Sequence, residues 1–207
     1  MDFQHKASAK QWYYVTIMMD LASQLPIIAQ ALPYERQLLM REIDIIDLVV
    51  IHCTELPDLS MAREYGERAH YDNGTGNSGH FYIDRDGSVY QYISPEFIAN
   101  HTRGYNPRSI GIEIVNIGRY PDWFDSSKQA MLEVYTHAQI ASLITLLNQL
   151  KTQLPNLQLI AGHEDLDTDT VPASDNPDLS VFRKRDPGPQ FPWQDVLAQT
   201  VLTRLNP

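Results

Sequence analysis

Short apolar runs of strand length, interleaved with one long amphipathic helix, are the feature that most constrains the fold of this chain. The helix pattern begins at Thr136, whose spacing to Gln139 fits a capping box, and Pro155 ends it. Strands that alternate with helices are typical of α/β domains, in which helices cover a sheet. Four strand candidates precede the helix, at residues 48–53, 79–83, 89–93 and 110–115. We therefore predict an α/β fold.

The second and third strand candidates are separated only by Asp84-Arg85-Asp86-Gly87-Ser88. Asp-Gly is a strong hairpin signal, because its backbone tolerates positive φ at the turn. These two strands are expected to pair antiparallel. In the fourth candidate the isoleucines alternate, which places Glu113 on the opposite face of that strand.

Residues 1–40 have a different pattern from the rest, with apolar residues at loosely helical spacing interrupted by Pro26 and Pro33. We predict a short helical extension over 1–40 and one domain over 41–207. The extension is consistent with a cap, a dimer contact or a lid, and the sequence does not set the oligomeric state. The apolar stretch Trp12 to Met19 is shorter than the roughly 20 residues that span a bilayer. Because a convincing export signal is also missing, we expect a cytoplasmic protein.

The formal net charge of −10 argues against nucleic acid or an anionic membrane as the main partner, because an acidic surface repels both. Cys53 is the only cysteine of the chain. An intrachain disulfide and a cysteine-rich zinc knuckle are therefore excluded.

The segment Glu164 to Arg185 is rich in Asp and Pro and follows neither the helix nor the strand period, so we predict a long loop. Its Asp165-x-Asp167-x-Asp169 spacing suggests calcium. The sixth position of such a loop is Thr170 instead of glycine, and the twelfth is Asn176 instead of glutamate. An acidic, solvated loop is the better interpretation.

Three side chains of the kinds that bind metals occur at the end of an apolar run or at the start of a turn. His52 and His163 each end an apolar run, and Asp186 opens the turn Asp186-Pro187-Gly188-Pro189. Two imidazoles and one carboxylate are enough to hold Zn²⁺ and leave a fourth position for water, which is the catalytic arrangement. On position alone, ordinary structural roles for all three stay open.

The remaining histidines give weaker signals. His5 and His137 lie at a terminus and in the first turn of a helix, and His70 fits a surface helix end. His80 and His101 are consistent with the wall of a pocket or with a position behind one.

Taken together, six segments resemble the zinc-dependent N-acetylmuramoyl-L-alanine amidases, a family shared with phage lysozyme-type amidases and peptidoglycan recognition proteins. The resemblance runs from about Asp47 to Trp193, and its last segment contains Arg183-Lys184-Arg185-Asp186-Pro187-Gly188-Pro189. The six segments, in the family's order, are residues 50–54, 78–87, 100–106, 109–116, 161–163 and 183–193.

The resemblance implies a role for each matched residue. His52, His163 and Asp186 match the ligands of one zinc ion, Glu113 matches the general base, and Lys184 matches the basic residue near the developing oxyanion. Without the resemblance, Lys184 reads as a solvated member of a basic run and Glu113 as a strand carboxylate facing water.

The resemblance also suggests substrate contacts. His80 and His101 match histidines that line the family's site. Arg103, Tyr105 and Asn106 are candidates for contacting glycan or stem peptide, because hydrogen-bonding and stacking groups recognise sugars and peptides. A loop held by its own hydrogen bonds explains these three equally well.

The expected fold is a central mixed β-sheet flanked by helices, with a zinc cleft at one edge of the sheet. The expected activity is hydrolysis of the amide between N-acetylmuramic acid and L-alanine, in peptidoglycan or in soluble muropeptide fragments. There are two alternatives: a non-catalytic peptidoglycan-binding or sensing protein, and an amidase or peptidase that acts on another substrate. The chain departs from the phage-type pattern at Gly79, where those members carry a catalytic tyrosine, so Glu113 is expected to carry more of the chemistry.

Overall fold

The computed structural model describes residues 25–205, which form a seven-stranded sheet covered by helices. Its strands are β1 (Ile27–Ala29), β2 (Leu48–Cys53), β3 (Phe81–Ile83), β4 (Val89–Gln91), β5 (Ser109–Ile114), β6 (Leu159–Gly162) and β9 (Thr203–Arg204). The strand order is β1-β4-β3-β5-β2-β6-β9, and every neighbouring pair is parallel except β3 and β4. The sheet is therefore mixed, as predicted.

Four α-helices and a second small sheet complete the described part of the chain. The helices are α1 (Leu59–Glu67), α2 (His137–Gln153), α3 (His163–Leu166) and α4 (Trp193–Leu197), and the small sheet pairs β7 (Thr170–Pro172) with β8 (Ser180–Phe182). Short 3-10 helices lie at Glu35–Gln37, Ile43–Ile45 and Asn106–Arg108. Among these residues, no helix is both long and apolar enough to cross a membrane.

Local signals in the sequence correctly predicted two junctions. Strands β3 and β4 form the expected antiparallel hairpin, and Gly87 in its turn has a φ of 86°. At the start of α2, Thr136 Oγ1 accepts a hydrogen bond from the Gln139 N–H, while Gln139 Oε1 accepts one from the Thr136 N–H. The predicted capping box is confirmed.

The two faces of the sheet have different coverings. Alternate residues of β2 and β5, such as Ile51 and Ile112, pack against Leu143, Leu146 and Leu147 of α2 in the main core. The opposite face carries a second apolar cluster in which Tyr82 of β3 packs with Leu56 and Ala62 near α1. Because side chains alternate along a strand, His52 and Glu113 point away from α2, toward this second face.

Two sequence predictions need correction. Within residues 25–40, the structure has strand β1 and a 3-10 helix instead of the expected helical extension; residues 1–24 lie outside the described residues. Pro26 and Pro33 disfavour a continuous helix here, and β1 gains backbone hydrogen bonds by pairing with β4. Residues 164–185 are also not one loop, because they contain most of α3 and the β7–β8 hairpin.

The acidic triplet near this hairpin is paired with arginines. Asp165 contacts Arg204, Asp167 contacts Arg183, and Asp169 contacts Arg103. The carboxylates therefore tie the hairpin region to other segments. Asp167 is buried, so the triplet is not the fully solvated acidic loop that the sequence indicated.

Truncation of a leucine between α2 and the sheet should destabilise the fold. Leu146 has no exposed surface, so Leu146→Ala is expected to lower the free energy of unfolding by about 2–5 kcal/mol through lost burial and a residual cavity. Leu132→Ala removes the same atoms from a side chain that is 77% exposed, and should change it by less than about 0.5 kcal/mol. Urea unfolding of both variants measures the difference, and equal values would contradict this core assignment.

Candidate metal centre

The ends of four neighbouring parallel strands place the site residues in one row. Tyr82 of β3 is in register with Glu113 of β5, and Glu113 is in register with His52 of β2. Ile51 pairs with Gly162 of β6, so His163 follows beside His52. Residues in register on parallel strands point to the same face of a sheet. The sheet itself therefore brings these side chains together.

Asp186 completes a compact group with the two histidines. Its Oδ2 atom lies 2.9 Å from His52 Nδ1 and 3.1 Å from His163 Nδ1. One nitrogen from each imidazole and one carboxylate oxygen all lie within 4.8 Å of one another. All three residues are buried. The three ligands predicted from the sequence thus converge on one point.

The geometry and the donor set fit a zinc ion. Ligands about 2.0–2.1 Å from a tetrahedral centre lie about 3.3 Å apart, which is close to the two separations at Asp186 Oδ2. The second carboxylate oxygen, Asp186 Oδ1, is buried and has no hydrogen-bond partner within residues 25–205. Such an atom is costly unless another group, such as a cation, interacts with it. Two imidazoles and one carboxylate are also typical of catalytic zinc sites, which keep one position open.

The surroundings of His52 and Asp186 give each of these two residues the protonation state that suits metal binding. Burial, reinforced by the charge of His163, lowers the pKa of His52 to about 4, so its imidazole is neutral near pH 7. Burial alone would raise the pKa of Asp186. The charge of His163 and hydrogen bonds from both histidines outweigh that effect and hold the pKa of Asp186 well below its usual range. A neutral imidazole and a carboxylate anion are the ligand forms that bind metal.

Glu113 lies beside the metal-binding group and has a different environment. Its Oε1 atom is 4.0 Å from His52 Nδ1, and 15% of its side chain is exposed toward the cleft. Burial, followed by the negative charge of Asp186, raises the pKa of Glu113 well above its usual range. A carboxyl group with a raised pKa can exchange a proton with a reacting group near neutral pH.

Gly79 leaves the space that Glu113 occupies. A Cβ atom at position 79 would come within 2.9 Å of Glu113 Cγ and 3.1 Å of the Gly111 carbonyl oxygen. Real Cβ atoms do not make contacts as short as the first of these. A side chain at position 79 would therefore require Glu113 or the neighbouring strand to shift.

The two remaining candidate histidines have different positions. His101 lines the cleft, and its Nδ1 atom is 3.0 Å from His52 Nε2. His80 is completely buried: its Nδ1 atom accepts a hydrogen bond from the Gly111 N–H, and its Nε2 atom lies 2.9 Å from Arg41 Nη2. His80 therefore supports strand β5 from behind, which corrects its assignment as a substrate contact.

The three candidate substrate contacts in the 100–106 loop also have different surroundings. Arg103 lines the cleft and pairs with Asp169 at the surface. Asn106 lines the cleft as well, but its Oδ1 atom accepts hydrogen bonds from the His101 and Thr102 N–H groups and so holds the loop. Tyr105 is partly exposed and packs against the apolar cluster of Leu48, Val50 and Ala161, and its contact with substrate stays a prediction.

The metal-binding group lies in a cleft of about 930 Å³. Arg183 and Lys184, which precede Asp186, contribute positive charge to its wall. His70 lines the cleft too, whereas the sequence favoured a surface helix end or loop over a substrate contact. Tyr82 was not singled out, although strand alternation from His80 could have indicated its position. Aromatic side chains that no local pattern predicted form another part of the wall: Tyr65, Tyr71, Trp123 and Phe124.

Known proteins share both the sequence pattern and the fold. The family model described as N-acetylmuramoyl-L-alanine amidase matches residues 42–189. The endolysin of Escherichia phage T7 is 30% identical over 120 residues, which are 57% of this chain and 75% of the endolysin.

Solved structures of two amidases have a similar fold. The N-acetylmuramoyl-L-alanine amidase LysC from Clostridium intestinale superposes with a TM-score of 0.61 at 21% identity, over 86% of this chain and 99% of LysC. The E. coli amidase AmiD, in complex with the substrate anhydro-N-acetylmuramic acid-L-Ala-D-γ-Glu-L-Lys, superposes with a TM-score of 0.56 at 22% identity, over 77% of this chain and 59% of AmiD.

Two replacements of Asp186 should distinguish the contribution of its negative charge to zinc binding from that of its shape. Asp186→Asn removes the anionic ligand and is expected to weaken zinc binding by more than the ~10–100-fold that follows loss of a group supporting a ligand. Asp186→Cys supplies a thiolate, which zinc also accepts, and should keep most of the affinity. Chelator competition measures both constants, with Asp169→Asn, an exposed carboxylate, as the control. Equal zinc affinity of Asp186→Asn and the wild type would exclude Asp186 as a ligand.

Proposed function

The chain belongs to the N-acetylmuramoyl-L-alanine amidase family, and we propose that it hydrolyses the amide between N-acetylmuramic acid and L-alanine with one zinc ion held by His52, His163 and Asp186. The observation that carries this proposal is the convergence of a complete donor set beside a carboxyl group of raised pKa. A protein that only binds peptidoglycan has no need for a carboxyl group of raised pKa beside its metal ligands.

Amide hydrolysis needs an activated water and a place for the negative charge that develops on the carbonyl oxygen. A zinc ion held by His52, His163 and Asp186 would supply both, by lowering the pKa of a water molecule to about 7 and by polarising the scissile carbonyl. The chain's own contribution begins with Glu113, which lies 4.0 Å from the nearest histidine ligand atom. Its carboxylate accepts the proton of the attacking water and then returns that proton to the leaving amine.

Lys184 supplies positive charge on the cleft wall, two residues before Asp186. In the proposed reaction its ammonium group lies beside the carbonyl oxygen of the scissile bond and stabilises the developing oxyanion. A preorganised charge of this kind acts mainly in the transition state. Lys184 therefore raises the rate more than it strengthens substrate binding.

The cleft is chemically suited to a molecule with a sugar part and an anionic peptide part. Although the whole chain carries a net charge of −10, Lys184 on the cleft wall offers positive charge to a carboxylate. Arg103 and Arg183 line the cleft beside it and are paired with Asp169 and Asp167. Tyr65 and Trp123 provide aromatic surface on which sugar rings can pack. The substrate named for the similar amidase AmiD combines a muramic acid derivative with a peptide, which supports this assignment.

The reaction itself can be tested on two forms of the substrate. The zinc-loaded protein is expected to release stem peptides from soluble muropeptides, from intact peptidoglycan, or from both, and mass spectrometry of the products identifies the bond cut. Removal of the metal with a chelator should abolish release, and added zinc should restore it, because the ion activates the water. Absence of release from either substrate by the zinc-loaded protein would leave the binding or sensing alternative.

Glu113→Gln should abolish turnover while the metal site stays intact. The amide has the same shape but cannot accept the proton of water, so kcat is expected to fall by ~10²- to 10⁴-fold. Zinc affinity should stay within about threefold of the wild type, because Glu113 is not a ligand in the proposed site. Glu96→Gln, at an exposed position away from the cleft, is the matched control. Unchanged kcat in Glu113→Gln would remove this residue from the mechanism.

A further inference from the structure

A buried ion pair between Glu55 and Arg119 lies next to the site but contains none of its reacting groups. Arg119 is 3% exposed and Glu55 is 8% exposed. Arg119 Nε donates to Glu55 Oε1 at 2.7 Å, Nη2 donates to Oε2 at 2.8 Å, and the Arg119 backbone N–H also donates to Oε1 at 3.2 Å. The carboxylate is therefore occupied by its arginine and is not available to a ligand.

The backbone around Glu55 has a conformation that favours the contact of its carboxylate with Arg119. Glu55, three residues after His52, has a φ of 49°, in the left-handed region that residues other than glycine rarely adopt. The Trp123 indole N–H donates to the Glu55 carbonyl oxygen at 3.1 Å. Opposite, a Cβ atom at Gly118 would come within 2.6 Å of Glu55 Cγ. An unusual backbone conformation and a glycine thus both keep this carboxylate against Arg119.

The rest of the guanidinium group holds the segment that leads to Lys184. Arg119 Nη1 donates to the Phe182 carbonyl oxygen at 2.9 Å, and Nη2 lies 3.4 Å from the Arg183 carbonyl oxygen. Arg119 therefore links the end of β2, through Glu55, to the two residues immediately before Lys184. Because the guanidinium group is planar and rigid, its bond to Glu55 also fixes the direction of these other N–H groups.

Asp186 has anchors that do not involve Arg119. The Glu164 N–H donates to the Asp186 carbonyl oxygen at 2.9 Å, and the Tyr135 hydroxyl donates to the Pro187 carbonyl oxygen at 2.7 Å. The Arg183 N–H group still donates to the Asp169 carbonyl oxygen at 2.9 Å, so the segment stays attached to its hairpin without Arg119. Loss of Arg119 should free the Phe182 and Arg183 carbonyl groups and let Lys184 shift, while the metal ligand keeps its place.

We propose that Arg119, oriented by Glu55, is a positioning residue that sets the location of the Lys184 ammonium group in the cleft. The inference rests on the proposed function, because Lys184 is the group whose placement affects the reaction. Arg119 is not one of the reacting groups, and it affects turnover without affecting metal binding.

The test uses Arg119→Lys in the zinc-loaded full chain. Lysine keeps the charge but loses the rigid fork, so kcat should fall about 10- to 100-fold, while KM and zinc affinity stay within about threefold. In the double variant Arg119→Lys with Lys184→Ala, kcat should equal that of Lys184→Ala alone, because Arg119 acts through Lys184. Independent effects that multiply in the double variant would overturn the proposal.

Hydrogen exchange supplies a readout that does not depend on activity. Arg119→Lys should speed amide exchange in peptides covering residues 182–185 and leave peptides covering 186–189 unchanged. An inactive wild-type enzyme with this exchange pattern would contradict the proposed function alone. An active enzyme in which exchange rises in both segments, or in neither, would contradict the positioning role alone.

Two further variants complete the design. Arg85→Lys alters a partly buried arginine that pairs with Glu133 and does not contact the 182–185 segment, so its kcat should stay within about twofold of the wild type. Glu55→Gln keeps the shape of the carboxylate and weakens its hold on Arg119. Glu55→Gln should reproduce the fall in kcat and the faster amide exchange at residues 182–185. It replaces Arg119→Lys as the test of the proposal if that variant does not fold. Wild-type kcat and exchange in Glu55→Gln would overturn the proposal.

Discussion

The in-register pairing of parallel strands β3, β5, β2 and β6 is the constraint on which the rest of the site depends. It places Tyr82, Glu113 and His52 side by side and brings His163 next to them. A shift of one residue in any pair would turn a strand's side chains to the other face, where α2 packs. Burial of both faces of β2 therefore stabilises the fold and the position of the metal ligands at the same time.

Two neighbouring carboxyl groups have opposite protonation tendencies because of their surroundings. Asp186 faces two imidazoles, which hold its pKa well below the usual range, whereas burial beside the negative charge of Asp186 raises the pKa of Glu113. Pairs of titratable groups whose environments separate their pKa values often divide the roles of a reaction. Here the first group suits a metal ligand and the second suits proton transfer, and the family relationship agrees with that division.

Sequence patterns were most accurate where a structural signal lies within a few residues. The Thr136–Gln139 capping box and the turn at Gly87 were predicted correctly, because each depends on contacts inside one short segment. Predictions failed where the partner is distant in the chain. Strand β1 forms by pairing with β4, and His80 is buried by Arg41 and by β5, contacts that no local period encodes. Arg119 gave no local signal at all, since its importance comes from the segments that it joins.

The sequence by itself determined strands β2 to β5, the long helix and the identity of the candidate metal donors, because residue type and periodicity record local preferences. The ordered motifs also indicated the family, although no single motif was specific. Only the tertiary structure decided that His52 and Asp186, 134 positions apart, meet at hydrogen-bonding distance. It also decided their protonation states, because burial and neighbouring charges are set by packing. The same holds for the connection from Glu55 through Arg119 to the segment before Lys184, which exists only once three separate strand ends are brought together.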